Sequence, residues 1–528
     1  MVDLQGERSS LLDSAIAAYV EGLGERELDT PFRALLRAEG FFDIAFVHGA
    51  SEFGRDFVAK RCSPDGRVRQ YHFQNKAGDI NQAAFRDVRA QLEDIRTVPL
   101  RHPLVDATID SVMVLVSTGR LKGDAREAAD GYSRTLPEGW QLQIWTSERL
   151  IEKFRLYLQA ALEERASGPL LALIGAIDER LVDQRAIERH SRRWVPDTGA
   201  TVSPGDVIEA ALVAARLRAT GRLDLACHAA LGVVRAQLAA LAGSEGVRAD
   251  AATELSSAGE FFATYAEELW SRCGDDLLRP NPMVHVHREF GFWVTYPVRC
   301  MQTAELIALL GLWKRRRGEN AQELVAWLEQ FLELQPGCAH PVSDRYAVAL
   351  LAPSMLLSDR RSLLTRWLRE VVRWTADRYE DEGRGLAGAD ACPEQEVNYL
   401  LGDLDLLDLP RRRESLIAGV LLDLASILEL PDVYDDARHE FYAVEVVPEV
   451  RHPPVGREAW LRDGAGTQRE LNAPYADAFE DTPSWQTAPH HHQGSAPSNG
   501  LAWESLAAWA LMRDRWSAPV LRELAVST

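Results

Sequence analysis

Apolar residues recur at two different intervals in this chain, and the interval changes near residue 165. Before that point, short stretches of helical spacing alternate with runs that read as strands. Residues 28–39 (LDTPFRALLRAE) place Phe32, Leu35 and Leu36 on one face, with Asp29 or Thr30 as cap, Pro31 in the first turn and Gly40 past the end. That pattern predicts a helix. FDIAFVHG (42–49) alternates as a strand does, and EFGRDFVAKR (52–61) and RQYHFQNKA (69–77) predict a hairpin across Ser63–Gly66. A helix follows over about 81–95, then the continuous apolar run SVMVLVSTG (111–119), which has the character of a buried strand. A helix over 124–132, a strand over 140–146 and the helix SERLIEKF (147–154) complete the unit. The order α-β-β-β-α-β-α-β-α predicts an α/β fold over residues 1–165, a mixed central sheet flanked by helices on both faces.

After residue 165 the helical interval is nearly uninterrupted, starting with Leu170, Leu171, Ile174, Ile177 and Leu181. Ser203-Pro204-Gly205-Asp206 opens one helix, and Leu241-Ala242-Gly243-Ser244 closes the next. Further helices are predicted over about 251–272, 301–317, 320–334, 359–380, 412–429 and 501–523. Residues 166–528 therefore read as a large all-α domain, without a repeat of thirty to fifty residues that aligns. The stretch 447–500 carries seven prolines and His490-His491-His492, and it reads as a long loop or a lid.

With 46% hydrophobic and 26% charged residues, the 528-residue chain is neither collagen-like, nor disordered over long stretches, nor a disulfide-stapled miniprotein. No run of about eighteen apolar residues occurs, and the opening MVDLQGERSSLLDS lacks the basic and apolar segments of a secretory leader. A cytoplasmic protein without membrane contact is the expectation. Its six cysteines lack CxxC spacing and read as reduced thiols. Net charge is −20, divided unevenly: 22 Lys and Arg against 26 Asp and Glu through residue 165, then 37 against 53. The acidic second part repels phosphate backbones. Residues 55–76 are the exception, with six basic residues and two acids, so Arg55, Lys60, Arg61, Arg67 and Arg69 are candidate nucleic-acid contacts, a solvated hairpin face being the alternative.

Chemistry concentrates in the same segment. Magnesium prefers hard oxygen ligands, commonly one or two carboxylates completed by carbonyls, waters and a phosphate. Asp56 offers a carboxylate, Gln74 on the next strand an amide oxygen, and Asp29 opens the preceding helix, with Glu52 as a further candidate ligand. The i, i+2 spacing of Gln74 and Lys76 puts both on one face, so Lys76 would point at the nucleophile or the scissile phosphate.

At LDTPFRALLRAEGF, EFGRDFVAKR and QYHFQNKAGD the chain resembles the restriction-endonuclease-like PD-(D/E)XK superfamily, in particular its Mrr-type branches with a QxK strand. VMVLVSTG followed by WQLQIWTSERLIEKF is similar to that family's closing β-α-β-α portion. The resemblance covers about residues 25–155. It implies a hydrolase acting on nucleic-acid phosphodiesters, dependent on magnesium or manganese, with Asp56 and Gln74 as ligands and Lys76 as the catalytic lysine. The family's first helix commonly carries a glutamate where Asp29 aligns, with Glu27 as a competitor, and Gln74 is neutral where many relatives have glutamate.

Other features have plainer readings. Lys314-Arg315-Arg316-Arg317 ends a helix before Gly318, where cations complement the helix dipole. Arg411-Arg412-Arg413, at a helix start, reads as an interaction site, and His285 and His287 as structural. P-loop, GxSxG and HExxH patterns are absent. Twelve of the fourteen tryptophans follow residue 165 at helical spacings and read as core. The combined expectation is an endonuclease cutting double-stranded DNA, a prokaryotic restriction or abortive-infection effector. Its helical part would sense, oligomerise or dock a protein partner. The alternatives are an inactive nuclease-fold scaffold that binds nucleic acid, and a nuclease for RNA or single strands.

Overall fold

The computed structural model describes residues 10–47, 54–63, 66–100, 102–106, 108–161, 168–197, 200–242, 251–278, 292–380, 383–401, 410–452, 460, 468–470 and 500–526. Glu52, His285, His287, His490–His492 and most of 453–499 lie outside the described residues. The chain forms two compact units: Met1–Asp178 with Ser203–Arg216, and Glu179–Val202 with Leu217–Thr528.

In the first unit, α1 (Ser10–Gly22) and α2 (Asp29–Ala38) precede β1 (Phe42–Phe46), β2 (Phe57–Cys62) and β3 (Val68–Lys76). Then come α3 (Gln82–Thr97), β4 (Ser111–Ser117), α4 (Ala125–Ser133), β5 (Trp140–Trp145) and α5 (Ser147–Leu156). The sheet order is β1-β2-β3-β4-β5, antiparallel from β1 to β3 and parallel from β3 to β5, the mixed sheet that the pattern predicts. Helix α1 was not anticipated; its Leu11, Leu12, Ile16 and Val20 are buried.

Each sheet face has its own core. On one, Phe32 of α2 packs edge-on against Phe57 and Phe73 at centroid distances of 5.6 and 5.3 Å, with Phe41 and Trp145 completing the aromatic cluster. On the other, Phe85, Val88, Leu92 and Ile95 of α3 cover Met113 and Leu115 of β4, together with Ala125, Ala129 and Tyr132 of α4. Strand β3 is buried over six successive residues, Gln70 to Asn75, because both faces are covered. Its even-numbered positions, Gln70, His72 and Gln74, form a polar row where a buried strand normally carries aliphatic side chains.

The second unit is overwhelmingly helical. Helices Ala251–Leu277, Phe292–Arg316, Gln322–Leu334, Arg361–Asp377 and Leu416–Ile427 answer the predicted spans within a few residues at most ends, although the second begins nine residues early and runs through Pro297. The predicted helix over 501–523 is two helices, Ala502–Met512 and Ala518–Val526. Arg513 breaks it by adopting φ +61°, which turns its guanidinium into the interior, onto Gln184 Oε1 at 2.8 Å and onto Glu305. Within 447–500, Val447–Pro448, Val450–His452 and Gln468–Glu470 are short strands rather than loop.

The two basic runs here are committed internally. Lys314 pairs with Glu267, Arg316 with Glu504 and Arg317 with Glu260 and Glu319, while Gly318 at φ +71° closes the helix end. Arg412, expected in an interaction role, reaches buried Asp344 at 2.7 Å; Arg411 donates to the Tyr379 carbonyl and Arg413 pairs with Glu445. Helix Leu223–Ala242 is long and apolar enough to cross a membrane by composition, and 83% of that stretch is buried inside the protein. The described cysteines are unpaired thiols, Cys227, Cys300 and Cys338 buried, Cys62 and Cys392 exposed.

Candidate active site

The antiparallel register of β2 and β3 runs from Cys62 opposite Val68 to Phe57 opposite Phe73. Asp56, the residue just before β2, donates its backbone amide to the Phe73 carbonyl at 2.8 Å, which sets its carboxylate beside the end of β3. Gln74 Nε2 donates to Asp56 Oδ2 at 2.9 Å, and the Asn75 amide donates to the same oxygen at 2.6 Å. Among the described residues, Asp56 Oδ1 and Gln74 Oε1 accept no hydrogen bond. Two hard oxygens thus remain available where two strands meet.

Lys76, two residues beyond Gln74, ends β3. Its ammonium pairs with Glu25 Oε1 at 3.0 Å, from the turn between α1 and α2. Glu25 was not anticipated. The competitor Glu27 instead accepts from the Gly24 amide at 2.9 Å and holds that turn. Asp29, at the start of α2, lies 3.5 Å from Asn75 Nδ2. The structure therefore brings Asp56, Gln74, Lys76 and Asp29 to one end of the sheet and adds Glu25 to them. Burial pushes the Asp56 carboxyl up to about 6; the Asn75 amide and the Lys76 ammonium oppose the rise, and Glu25 and Asp29 add to it. The charged groups that act on Asp56 are thus two further carboxylates, Glu25 and Asp29, and the Lys76 ammonium.

The loop after β4 is tied to the loop after Lys76. Thr118 N donates to the Lys76 carbonyl, Gly78 N to Thr118 Oγ1, Ile80 N to the Arg120 carbonyl and Lys122 N to the Ile80 carbonyl. Gly119 permits this closeness, because a Cβ there would sit 2.2 Å from the Gly78 carbonyl carbon. Arg120 and Lys122 consequently stand at the same end of the sheet as Lys76, both exposed and paired with Glu148 and Asp79. Sequence reading passed over them, since a lone Arg-Leu-Lys has no signal until the sheet order is known.

The anticipated nucleic-acid contacts fall elsewhere. Arg67 and Arg69 lie where β3 begins, and seven residues of strand put Arg69 about 23 Å from Lys76. Arg61 faces Arg69 across the hairpin, pairs with Glu39 and lies over the Phe41 ring. Lys60 takes the opposite face and pairs with Asp43 at 3.0 Å. Arg55 is buried, 2% exposed, with its guanidinium on His72 and on the carbonyls of Ile95 and Val98. The run that looks like one basic patch is thus divided between two faces, and one of its members belongs to the interior.

Magnesium or manganese suits this donor set by chemistry: carboxylate and amide oxygens, with no thiolate or imidazole among them. Among the described residues no group of three His, Cys, Asp or Glu side chains stands ready to hold a metal alone. Comparison of the chain with protein families, with curated proteins and with solved structures finds no match to it.

Proposed function

We propose that the first unit is a divalent-cation-dependent nuclease hydrolysing phosphodiester bonds of double-stranded DNA. Its setting would be prokaryotic defence, with the helical unit as the element that controls it or docks a partner. The observation that carries the reading is the convergence of Asp56, Gln74 and Lys76 on one open end of the sheet, amid more carboxylate than ammonium.

Asp56 Oδ1 and Gln74 Oε1 would hold magnesium or manganese, with Glu25 and Asp29 adding negative charge beside them. The cation supplies positive charge against the phosphodiester and makes its coordinated water more acidic. Asn75 keeps Asp56 in place through its backbone amide, so the carboxylate needs no rearrangement when charge develops. Lys76, exchanging Glu25 for the substrate, would donate to the attacking water or a phosphate oxygen and offset the growing negative charge. Arg120 and Lys122 stand where the flanking phosphates would pass.

Cleavage of supercoiled plasmid in magnesium or manganese, comparing the wild type with Lys76→Ala purified identically, tests the reading. The expected result is a loss of roughly 100-fold or more in the variant. Equal nicking by both preparations would remove Lys76 and assign the activity to a contaminant. Parallel single-stranded DNA and RNA substrates separate the duplex assignment from its alternatives.

A further inference from the structure

Arg55 has a different task from the one its charge announces. It lies one residue before Asp56 and its guanidinium is spent on α3: Nη2 donates to the Val98 carbonyl at 2.9 Å and to the Ile95 carbonyl. These belong to the last turn and cap of α3, where carbonyls lack intrahelical partners and the helix dipole favours a cation. From Nε, Arg55 donates to His72 Nδ1 at 3.3 Å, and His72 meets Gln70 at 3.1 Å. Gln70 Oε1 in turn accepts from the Asp106 amide at 2.8 Å. Two members of the polar row of β3, His72 and Gln70, therefore form the buried seat of this one arginine.

Gly54 completes the arrangement. Its φ is +74°, and a Cβ would stand 2.3 Å from the Gln91 carbonyl oxygen, in the body of α3. The segment entering β2 is thus pressed against one helix at residue 54, bolted to that helix's end at residue 55, and delivers its carboxylate at residue 56.

We propose that Gly54 and Arg55 are positioning residues that fix Asp56 through α3, holding its carboxylate on the Asn75 amide and Gln74, without contact to substrate. This rests on the nuclease reading for its consequence, and on geometry alone for the clamp. A misplaced ligand of this kind impairs turnover more than substrate binding.

The test uses the full-length protein, with Arg55→Met, Arg55→Lys and, as an independent lesion of the same clamp, Gly54→Ala. Two quantities are measured: hydrogen exchange at the Asn75 amide, and kcat and KM for plasmid cleavage. In Arg55→Met, exchange at Asn75 is expected to rise while the Tyr71 and Phe73 amides keep their protection. kcat is expected to fall roughly 10- to 100-fold with KM nearly unchanged, and Arg55→Lys to recover part of both. Gly54→Ala should reproduce the exchange signature. Unchanged protection at Asn75 in the folded variants overturns the clamp, and a raised KM with unaltered kcat makes Arg55 a substrate contact instead. If the wild type cuts nothing, the nuclease reading fails by itself, and the exchange measurement still decides the clamp.

Discussion

In the helical unit Arg513 meets Glu305, Arg235 meets Glu188 and Arg412 meets Asp344, with at least one partner of each pair completely enclosed. At the end of the sheet in the other unit, Asp56 lies among the charges of Asp29, Glu25 and Lys76, and Lys76 pairs with Glu25. Burial raises the carboxyl in both settings, Glu305 to about 7 and Asp56 to about 6. The neighbours differ: Arg513 and Arg345 pull Glu305 back, whereas around Asp56 the pull of the Asn75 amide and the Lys76 ammonium is met by a push from Glu25 and Asp29. Closed pairs of the first kind cost desolvation and return a specified geometry. A surplus of carboxylate beside open oxygens leaves a deficit of positive charge, which a cation would fill.

Neutralising charge should therefore have opposite signs in the two units. Arg513→Ala, which strands Glu305 without its guanidinium, is expected to destabilise the chain by about 3–5 kcal/mol in denaturant unfolding. A loss below about 1 kcal/mol would show that this pair is not holding the helical core. Asp56→Asn should instead stabilise the cation-free protein at pH 7. The folded carboxyl titrates about 2 units above its ordinary 3.8, so the wild type loses stability as pH rises from about 4 through 6. With solvent screening at this open end, the gain in the variant is about 1–2 kcal/mol, and it should vanish at pH 4. Magnesium should raise the melting temperature of the wild type and leave Asp56→Asn unmoved. The smallest effect concerns phosphate contacts. Arg120→Ala with Lys122→Ala should reduce the salt slope of duplex DNA association by about 2, while Arg67→Ala with Arg69→Ala should leave it unaltered. The reverse outcome would move the substrate to the hairpin tip.

Local signals explain why the first unit was legible. Its strands are bounded by glycine or proline turns, and the two core faces need only the alternation of β2 and β3 to be placed. Helix α1 is legible too, since Leu12, Ile16 and Val20 recur every fourth residue. The break at Arg513 was not readable, because the carboxylate its turned side chain meets, Glu305, lies 208 residues away. The site divides in the same manner. Asp56, Gln74 and Lys76 follow from strand spacing, whereas Glu25 reaches Lys76 across 51 residues from a turn without a motif. Arg55 misled for a related reason: a count of cations does not reveal which of them meets a helix end inside.

Five of the residues gathered at this end of the sheet, Glu25, Asp29, Asp56, Gln74 and Lys76, come from one short early stretch of the chain, and the unit holding them is complete at Arg216. The 312 residues that follow take on the order of 15 to 60 seconds to synthesise at ordinary elongation rates. For that interval on the ribosome, every side chain proposed for the site has been made while the helical unit is still being synthesised. Any restraint that unit exerts on this end of the sheet would arrive after the end itself.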